Sequence, residues 1–96
     1  MIVWFLYDIQ NDKKRKEVIK IAQANGLIRV QKSVFVGDVN KRRIDLLTNA
    51  SKKVIDKNTD SIFIFPIAQD DYDKLVMIGR NFDRSFISNK KGAMII

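Results

Sequence analysis

The chain has 96 residues, enough for one domain that buries roughly two-thirds of the surface of its unfolded chain. It contains no cysteine and no histidine, which excludes disulfides, thiolate zinc sites, cysteine nucleophiles and imidazole acid–base catalysis. Eighteen Lys and Arg against eleven Asp and Glu give a formal charge of +7, which indicates either plain solubility or a polyanionic partner such as nucleic acid.

Two further classes are excluded by the apolar segments. No apolar run approaches the roughly 18 to 20 residues that cross a bilayer, and the N-terminal run is too short for a signal peptide and has no basic segment before it. We therefore expect a cytoplasmic protein without membrane contact. Any metal site would use oxygen ligands, which is typical of Mg²⁺ or Mn²⁺.

The first apolar stretch predicts a central strand that ends at a carboxylate. Ile2 to Tyr7 are apolar or aromatic in both alternating phases, which is typical of a strand covered on both faces. Asp8 follows directly, so we take it as the best candidate for chemistry in the chain. The alternative is that Asp8 only stabilises the next turn through an Asx-type hydrogen bond.

Two basic helices are predicted. Asn11 or Asp12 caps the first, which ends at Asn25-Gly26, and Asn40 caps the second, which extends to about Asp56. The basic residues at their starts are candidates for binding nucleic-acid phosphates, or else form a merely solvated face. They are Lys13, Lys14, Arg15 and Lys16 in the first helix and Lys41, Arg42 and Arg43 in the second.

The remaining strands complete an α/β pattern. Leu27–Val36 is expected to form one strand, or to bend into two short ones, and Ser61–Ile67 and Lys74–Gly79 are expected as further strands. Residues 68–73 are predicted as an acidic loop or a short helical turn. The alternation predicts a ferredoxin-like α/β sandwich, an α+β fold with two helices on one face of a four-stranded sheet. We take residues 1–96 as a single domain, with residues 81–96 as a C-terminal extension.

The strand pattern also predicts a homodimer. Two helices cover only one face of the sheet, yet the first and third strands are apolar on both faces, so a second copy is expected to cover the other face. The apolar end Ala93–Ile96 is then expected to pair with the partner's sheet, unless it is a frayed tail.

Several segments together resemble a known family. In chain order they are the apolar first strand with Tyr7-Asp8-Ile9, Asn25-Gly26-Leu27, the run Arg29-Val30-Gln31-Lys32-Ser33-Val34-Phe35, and Asp60-Ser61-Ile62-Phe63-Ile64-Phe65-Pro66. From the start of the chain to about Arg80, this sequence resembles the small ferredoxin-like CRISPR-associated protein of spacer acquisition, the non-integrase subunit of the adaptation complex.

This resemblance implies a dimer in which two copies of Asp8 face each other and share one Mg²⁺ or Mn²⁺. Around the metal-binding Asp8, it places Tyr7, Arg15, Arg29, Ser33 and Phe35 near the cleft as candidate catalytic residues. Glu17 stands where some members of the family have a basic residue.

The resemblance leaves more than one function open. Family members are described as metal-dependent endonucleases on RNA or double-stranded DNA, and also as non-catalytic scaffolds that hold the integrase and the incoming DNA. We therefore expect a Mg²⁺-dependent endonuclease, with a dimeric DNA-binding adaptor or a ribonuclease toxin of similar fold as alternatives. A small-molecule regulatory domain is disfavoured, because the chain has no glycine-rich phosphate loop.

Overall fold

The computed structural model describes residues 1–83, which form seven elements of secondary structure. The predicted pairing of Ala93–Ile96 lies outside these residues. No helix within them is long and apolar enough to cross a membrane. The elements are β1 (Ile2–Asp8), α1 (Asp12–Ala24), β2 (Ile28–Gln31), β3 (Val34–Asp38), α2 (Lys41–Val54), β4 (Ser61–Ile67) and α3 (Gln69–Asp73).

The four strands form one sheet in the order β2-β3-β1-β4, and every neighbouring pair is antiparallel. β1 lies inside the sheet because it pairs with β3 on one side and with β4 on the other. Its neighbour β4 includes Pro66, which cannot donate to a ladder and is tolerated in a strand with a free edge. The order of elements, together with the two long helices packed on one face, confirms the ferredoxin-like fold predicted from the sequence.

The two long helices begin at the predicted caps. The Asn11 side chain accepts a hydrogen bond of 2.9 Å from the backbone N–H of Lys14, and the Asn40 side chain accepts one of the same length from Arg43. Each bond satisfies one of the N–H groups that have no partner in the first turn of a helix. The first helix ends before Gly26, which has a φ of +90° and turns the chain into β2.

Leu27–Val36 contains a hairpin, as the second of our two predictions for this segment proposed. β2 and β3 are antiparallel, and the turn between them comprises Lys32 and Ser33. The register shifts between Arg29 and Gln31, so the hairpin is irregular next to its turn. The turn lies at the same end of the sheet as the end of β1, because Leu6 pairs with Val34.

The prediction of a fourth strand at Lys74–Gly79 is wrong. Among the described residues this segment forms no ladder, and the sheet receives its fourth strand from the β2–β3 hairpin instead. The segment follows α3, a short helical turn, which is one of the two possibilities that the sequence predicts for residues 68–73. Its apolar residues are common in β-strands, but a strand forms only where its backbone can hydrogen-bond to the edge of a neighbouring strand.

The two faces of the sheet carry different clusters of side chains. On the helix face, Phe5 and Phe35 pack with Val18 of α1 and Leu47 of α2, and all four side chains are buried. On the opposite face, Ile2, Val36 and the buried Tyr72 of α3 form a second cluster, against which Trp4 packs. Apolar side chains near this face remain exposed, among them Phe63 and Phe65 of β4.

Candidate nucleic-acid cleft at the end of the central strand

Asp8 is the last residue of β1 and lies opposite Ser61 of β4 in the sheet register. Its side chain is exposed, and it has no hydrogen-bond or ion-pair partner within residues 1–83. It lies in a cleft of about 300 Å³, here called the Asp8 cleft. The residues that line this cleft are Tyr7, Asp8, Ile9, Arg15, Arg29, Lys32 and Ser33.

Arg15 holds the loop that follows Asp8. One of its guanidinium nitrogens donates to the carbonyl oxygens of Ile9 at 3.0 Å and Gln10 at 3.3 Å, and the other forms an ion pair with Asp12. Arginine suits this position because its planar group offers several donors in a fixed geometry. Arg15 therefore fixes the backbone between β1 and α1 and also lines the cleft.

The other wall of the cleft is the turn of the β2–β3 hairpin. The Lys32 carbonyl oxygen accepts a hydrogen bond of 2.9 Å from the Tyr7 hydroxyl and two from Arg29, at 3.1 Å from Nε and 2.6 Å from Nη2. The backbone N–H of Tyr7 donates to the carbonyl of Ser33 at 3.2 Å. Tyr7 and Arg29 thus hold the turn beside Asp8, and Ser33 also lines the cleft.

Phe35 lies beneath the cleft and does not line it. Its ring is fully buried, packs edge-on against Phe5 and contacts Tyr7. The Arg29 guanidinium carbon lies 5.9 Å from the centre of the Phe35 ring, which is within the range of a cation–π interaction. Of the six predicted catalytic residues, five line the cleft and Phe35 supports two of them from below.

The predicted phosphate-binding residues fall at opposite ends of the helix layer. Lys13, Lys14 and Lys16 lie in the first turns of α1, directly after the loop that follows Asp8. Arg43, in the first turn of α2, lies 3.4 Å from the carbonyl oxygen of Ala24, the last residue of α1. Because α1 has 13 residues, the start of α2 is about 20 Å from the start of α1.

The structure also shows basic residues that the predicted site left out. α2 runs back toward β4, so Lys52 and Lys53 in its last turn lie at the Asp8 end of the sheet. Lys32 lines the Asp8 cleft through its place in the hairpin turn. The sequence did mark Lys52 and Lys53 as basic, but only the antiparallel packing of the helices shows which end they share.

One chain offers a single carboxylate to a metal ion at this site. Within residues 1–83, no three Asp or Glu side chains are placed to share a metal ion. Mg²⁺ keeps several of its waters and takes one or two carboxylates together with substrate phosphates. The exposed Asp8 fits such a site as one ligand, and a second Asp8 from another copy would supply the usual pair.

Comparisons with known proteins agree with this architecture. The family model described as CRISPR associated protein Cas2 matches residues 1–75. A protein of Pyrobaculum aerophilum named CRISPR-associated endoribonuclease Cas2 2 is 34% identical over 79 residues, which cover 82% of this chain and 87% of that protein. CRISPR-associated endoribonuclease Cas2 1 of Archaeoglobus fulgidus is 35% identical over 69 residues, which cover 72% of this chain and 73% of that protein.

Solved structures show the same likeness. The crystal structure of Streptococcus pyogenes Cas2 at pH 6.5 superposes with a TM-score of 0.71 and 26% sequence identity. The match covers 82% of this chain and 100% of that one. These matches confirm the family that the sequence resembles.

Proposed function

Since this chain belongs to the Cas2 family of CRISPR-associated proteins, we propose that it is a metal-dependent endoribonuclease that works as a homodimer. The observation that carries the proposal is the Asp8 cleft. An exposed carboxylate at the end of a central strand lies there among two arginines, a lysine and a serine. This set combines an oxygen ligand for a hard cation with donors for phosphate oxygens.

The chemistry can be divided between the cation and the chain. A bound Mg²⁺ or Mn²⁺ activates water and offsets the charge of the phosphate. Asp8 would hold that cation, and Lys32 and the Ser33 hydroxyl are available to bind the phosphate. Arg15, Tyr7 and Arg29 act as positioning residues, because their donors are bound to backbone carbonyls on the two walls of the cleft.

The dimer is supported by the sheet face that the helices leave uncovered. Phe63 is 64% exposed and Phe65 is 44% exposed, next to Trp4 and Leu6 in the sheet register. A second copy packed on this face would remove these rings from water. If its two-fold axis passes near the ends of both β1 strands, two copies of Asp8 share one cation.

A second candidate function is a binding adaptor that holds duplex DNA for an integrase subunit, without turnover. It is favoured by the presence of only one carboxylate, that of Asp8, among the residues that line the Asp8 cleft, and by the basic residues at both ends of the helix layer. Such contacts with phosphates give affinity that is independent of sequence and falls steeply with salt. Either function would be exercised in the cytoplasm.

The proposal is tested with Asp8→Asn, which keeps the shape of the side chain and removes its charge. RNA cleavage is measured in the presence and absence of Mg²⁺. We expect wild-type cleavage to need the metal. Asp8→Asn should lower kcat at least about a hundredfold, since losing about 3 kcal/mol of transition-state stabilisation has that effect. Asp70→Asn, an exposed aspartate of α3 outside the cleft, is the matched control and should cleave at the wild-type rate.

The outcomes separate the two functions. Metal-dependent cleavage that disappears in Asp8→Asn but not in Asp70→Asn supports the endoribonuclease. If the wild type shows no cleavage but binds duplex DNA with a steep salt dependence, the adaptor is correct. Cleavage that is equal in wild type and Asp8→Asn would contradict the assignment of the site to Asp8.

A further inference from the structure

We propose that the ammonium group of Lys32 binds the scissile phosphate in the Asp8 cleft and offsets the negative charge that this phosphate gains during cleavage. The inference rests on the proposed function, because it assigns a further catalytic residue to the same site. Lys32 lies outside the site that the sequence predicts. The role assigned to it is electrostatic, so Lys32 transfers no proton and forms no covalent bond.

Three cationic side chains line the Asp8 cleft in the described part of the chain, and two of them are held by the protein. Arg15 forms an ion pair with Asp12 and donates to two backbone carbonyls. Arg29 donates to the Lys32 carbonyl through Nε and Nη2. The third cation is the Lys32 ammonium, which has no hydrogen-bond or ion-pair partner among residues 1–83. Its charge is therefore available to a ligand.

The backbone of Lys32 is fixed, although its side chain is exposed. Its carbonyl oxygen accepts hydrogen bonds from the Tyr7 hydroxyl and from two nitrogens of Arg29. The next carbonyl, that of Ser33, accepts one from the backbone N–H of Tyr7. Both donor residues belong to strands of the sheet, β1 and β2. The ammonium group therefore extends from a fixed point on the wall of the cleft, which reduces the entropy lost when it binds an anion.

The charges of the proposed metal site also require a further cation. Two Asp8 carboxylates would neutralise the charge of one divalent cation. An RNA phosphate brings one negative charge, and its oxygens gain charge in the transition state. In the cleft, this charge is offset by a cation whose donors are not already bound, and Lys32 is placed to supply it. Lysine suits the role because its compact charge commonly binds phosphate.

The role of Lys32 is compatible with the proposed dimer. The second copy would cover an apolar pocket on the sheet face, which is lined among others by Trp4, Leu6 and Phe65. Within residues 1–83, none of the residues that line the Asp8 cleft also lines this pocket. A second copy can therefore cover the sheet face while Lys32 stays accessible beside Asp8.

The first test measures RNA binding without a metal ion. Binding of a short fluorescent single-stranded RNA is measured by anisotropy over a range of salt concentrations, with Asp8→Asn as the parent so that no RNA is cut. Lys32→Gln, which removes the charge, and Lys32→Arg, which keeps it, are each added to this parent. Lys20→Gln removes the same charge from an exposed position of α1 outside the Asp8 cleft and is the control.

We expect Lys32→Gln to weaken RNA binding roughly three- to tenfold. It should also lower the magnitude of the slope of log K against log salt by about 0.7, the value for one phosphate contact on a single strand. Lys32→Arg should keep the slope of the parent, because the charge is still present. Lys20→Gln should change neither the affinity nor the slope.

The second test measures cleavage by the chain with Asp8 intact and Mg²⁺ present. Lys32→Gln should lower kcat roughly ten- to a hundredfold, which is the effect of losing a hydrogen bond to a charged group. KM should rise about tenfold or less, because the phosphate carries more charge in the transition state than in bound RNA. Lys32→Arg should recover most of kcat, and Lys20→Gln should cleave at the wild-type rate.

A direct contact is tested by replacing each non-bridging oxygen of the scissile phosphate with sulfur, one stereoisomer at a time. If Lys32 binds one of these oxygens, the loss of kcat caused by that replacement should be smaller in Lys32→Gln than in the wild type, because the contact is already missing. Losses that are the same in both proteins for both stereoisomers would refute the contact.

The two proposals fail in different ways. If Lys32→Gln binds and cleaves RNA as Lys20→Gln does, the role of Lys32 is refuted while cleavage at Asp8 stands. If the wild type does not cleave RNA but Lys32→Gln lowers the salt slope, Lys32 binds phosphate and its catalytic role fails together with the endoribonuclease. Equal losses of affinity and kcat in Lys32→Gln and Lys32→Arg would show an effect on local structure only, which also refutes the proposal.

Discussion

Three donors converge on one carbonyl oxygen, that of Lys32, and this arrangement accounts for the shape of the Asp8 cleft. A carbonyl oxygen has two lone pairs, so the bonds from Tyr7 and from the two nitrogens of Arg29 share them. Arg29 is therefore used to hold backbone, as Arg15 is on the other wall. At both positions the arginine is a positioning residue. The charged groups of Asp8 and Lys32, in contrast, have no hydrogen-bond or ion-pair partner among residues 1–83.

The shared acceptor makes a prediction about stability. Tyr7→Phe and Arg29→Met each leave the Lys32 carbonyl with one remaining partner, so each should lower the free energy of unfolding by about 1 kcal/mol or less. The double variant leaves this acceptor, which is part-buried at the Tyr7 bond and exposed at the Arg29 bonds, without a protein donor. Its cost should exceed the sum of the single costs by about 1 kcal/mol or more, measured by urea unfolding as a double-mutant cycle.

Lys32→Gln is the control variant for this double-mutant cycle. Because its side chain has no protein partner among the described residues, Lys32→Gln should leave the free energy of unfolding within about 0.5 kcal/mol of the wild type. Additive costs for Tyr7→Phe and Arg29→Met would mean that the two donors do not depend on the same acceptor in solution.

At the scale of single residues, the sequence predicted the position of Asp8 at the end of the central strand better than the positions of the groups around it. Asp8 could be predicted because an apolar strand ends there, which is a local pattern. The part played by Lys32 could not, because its backbone oxygen is the acceptor and a sequence does not show which carbonyl a distant tyrosine reaches. Phe35 could be predicted as near the cleft only from the family resemblance, and its place beneath Arg29 is a matter of packing.

The two long helices are antiparallel, and this decides which basic residues lie together. The start of α1 and the end of α2 share the Asp8 end of the sheet, whereas the start of α2 adjoins the end of α1. Lys41 also forms an ion pair with Asp45 at 3.6 Å. A nucleic acid bound at Asp8 is therefore expected to contact the start of α1 before the start of α2.

This arrangement gives a prediction with matched charge changes. The double variant Lys13→Gln/Lys16→Gln should weaken binding of a short single-stranded RNA by roughly three- to tenfold and lower the salt slope by about 1.4. Lys41→Gln/Arg42→Gln removes the same charge at the far end of the helix layer and should change binding of the short RNA less than twofold. Anisotropy titrations of both variants over a range of salt concentrations measure the difference.

A longer duplex extends the comparison, since it can reach both ends of the helix layer. There, both double variants should lower the salt slope. If Lys41→Gln/Arg42→Gln weakened binding of the short RNA as much as Lys13→Gln/Lys16→Gln, the phosphates would follow the helix layer and not the Asp8 cleft.

The elements that the sequence predicted correctly are those with strong local signals. Asn11 and Asn40 cap helices, and Ile2–Tyr7 forms the central strand, as capping chemistry and apolar patterns indicate. The segment Lys74–Gly79 has an equally apolar pattern but forms no strand among residues 1–83. Strand formation depends on an edge supplied by a distant part of the fold or by another chain, and local composition does not contain that information.

At the scale of the whole molecule, the sheet divides two surfaces of opposite character. One face is covered by α1 and α2, whose exposed sides carry most of the basic residues. The other face presents Phe63 and Phe65, with Ile78 92% exposed beside it. A charged surface on one side and an apolar surface on the other is expected of a subunit that binds a polyanion and a second copy of itself.

The last prediction concerns this apolar face and follows from the proposed dimer. Phe63→Glu places a charge where the second copy would pack, and burying an unpaired carboxylate is costly. We expect wild-type chain at micromolar concentration to sediment at twice the monomer mass, and Phe63→Glu to sediment as a monomer with helix content unchanged. Leu46→Glu is the control, because Leu46 is an exposed leucine of α2 on the helix side of the molecule, and this variant should remain dimeric.

If Phe63→Glu remained dimeric while Leu46→Glu dissociated, the copies would associate through their helices. Two Asp8 carboxylates could then not share a cation by the arrangement proposed here, and metal-dependent cleavage would have to come from one chain alone. The same preparations also test whether RNA cleavage needs the dimer. A monomeric Phe63→Glu should lose RNA cleavage although every residue of its own Asp8 cleft is intact.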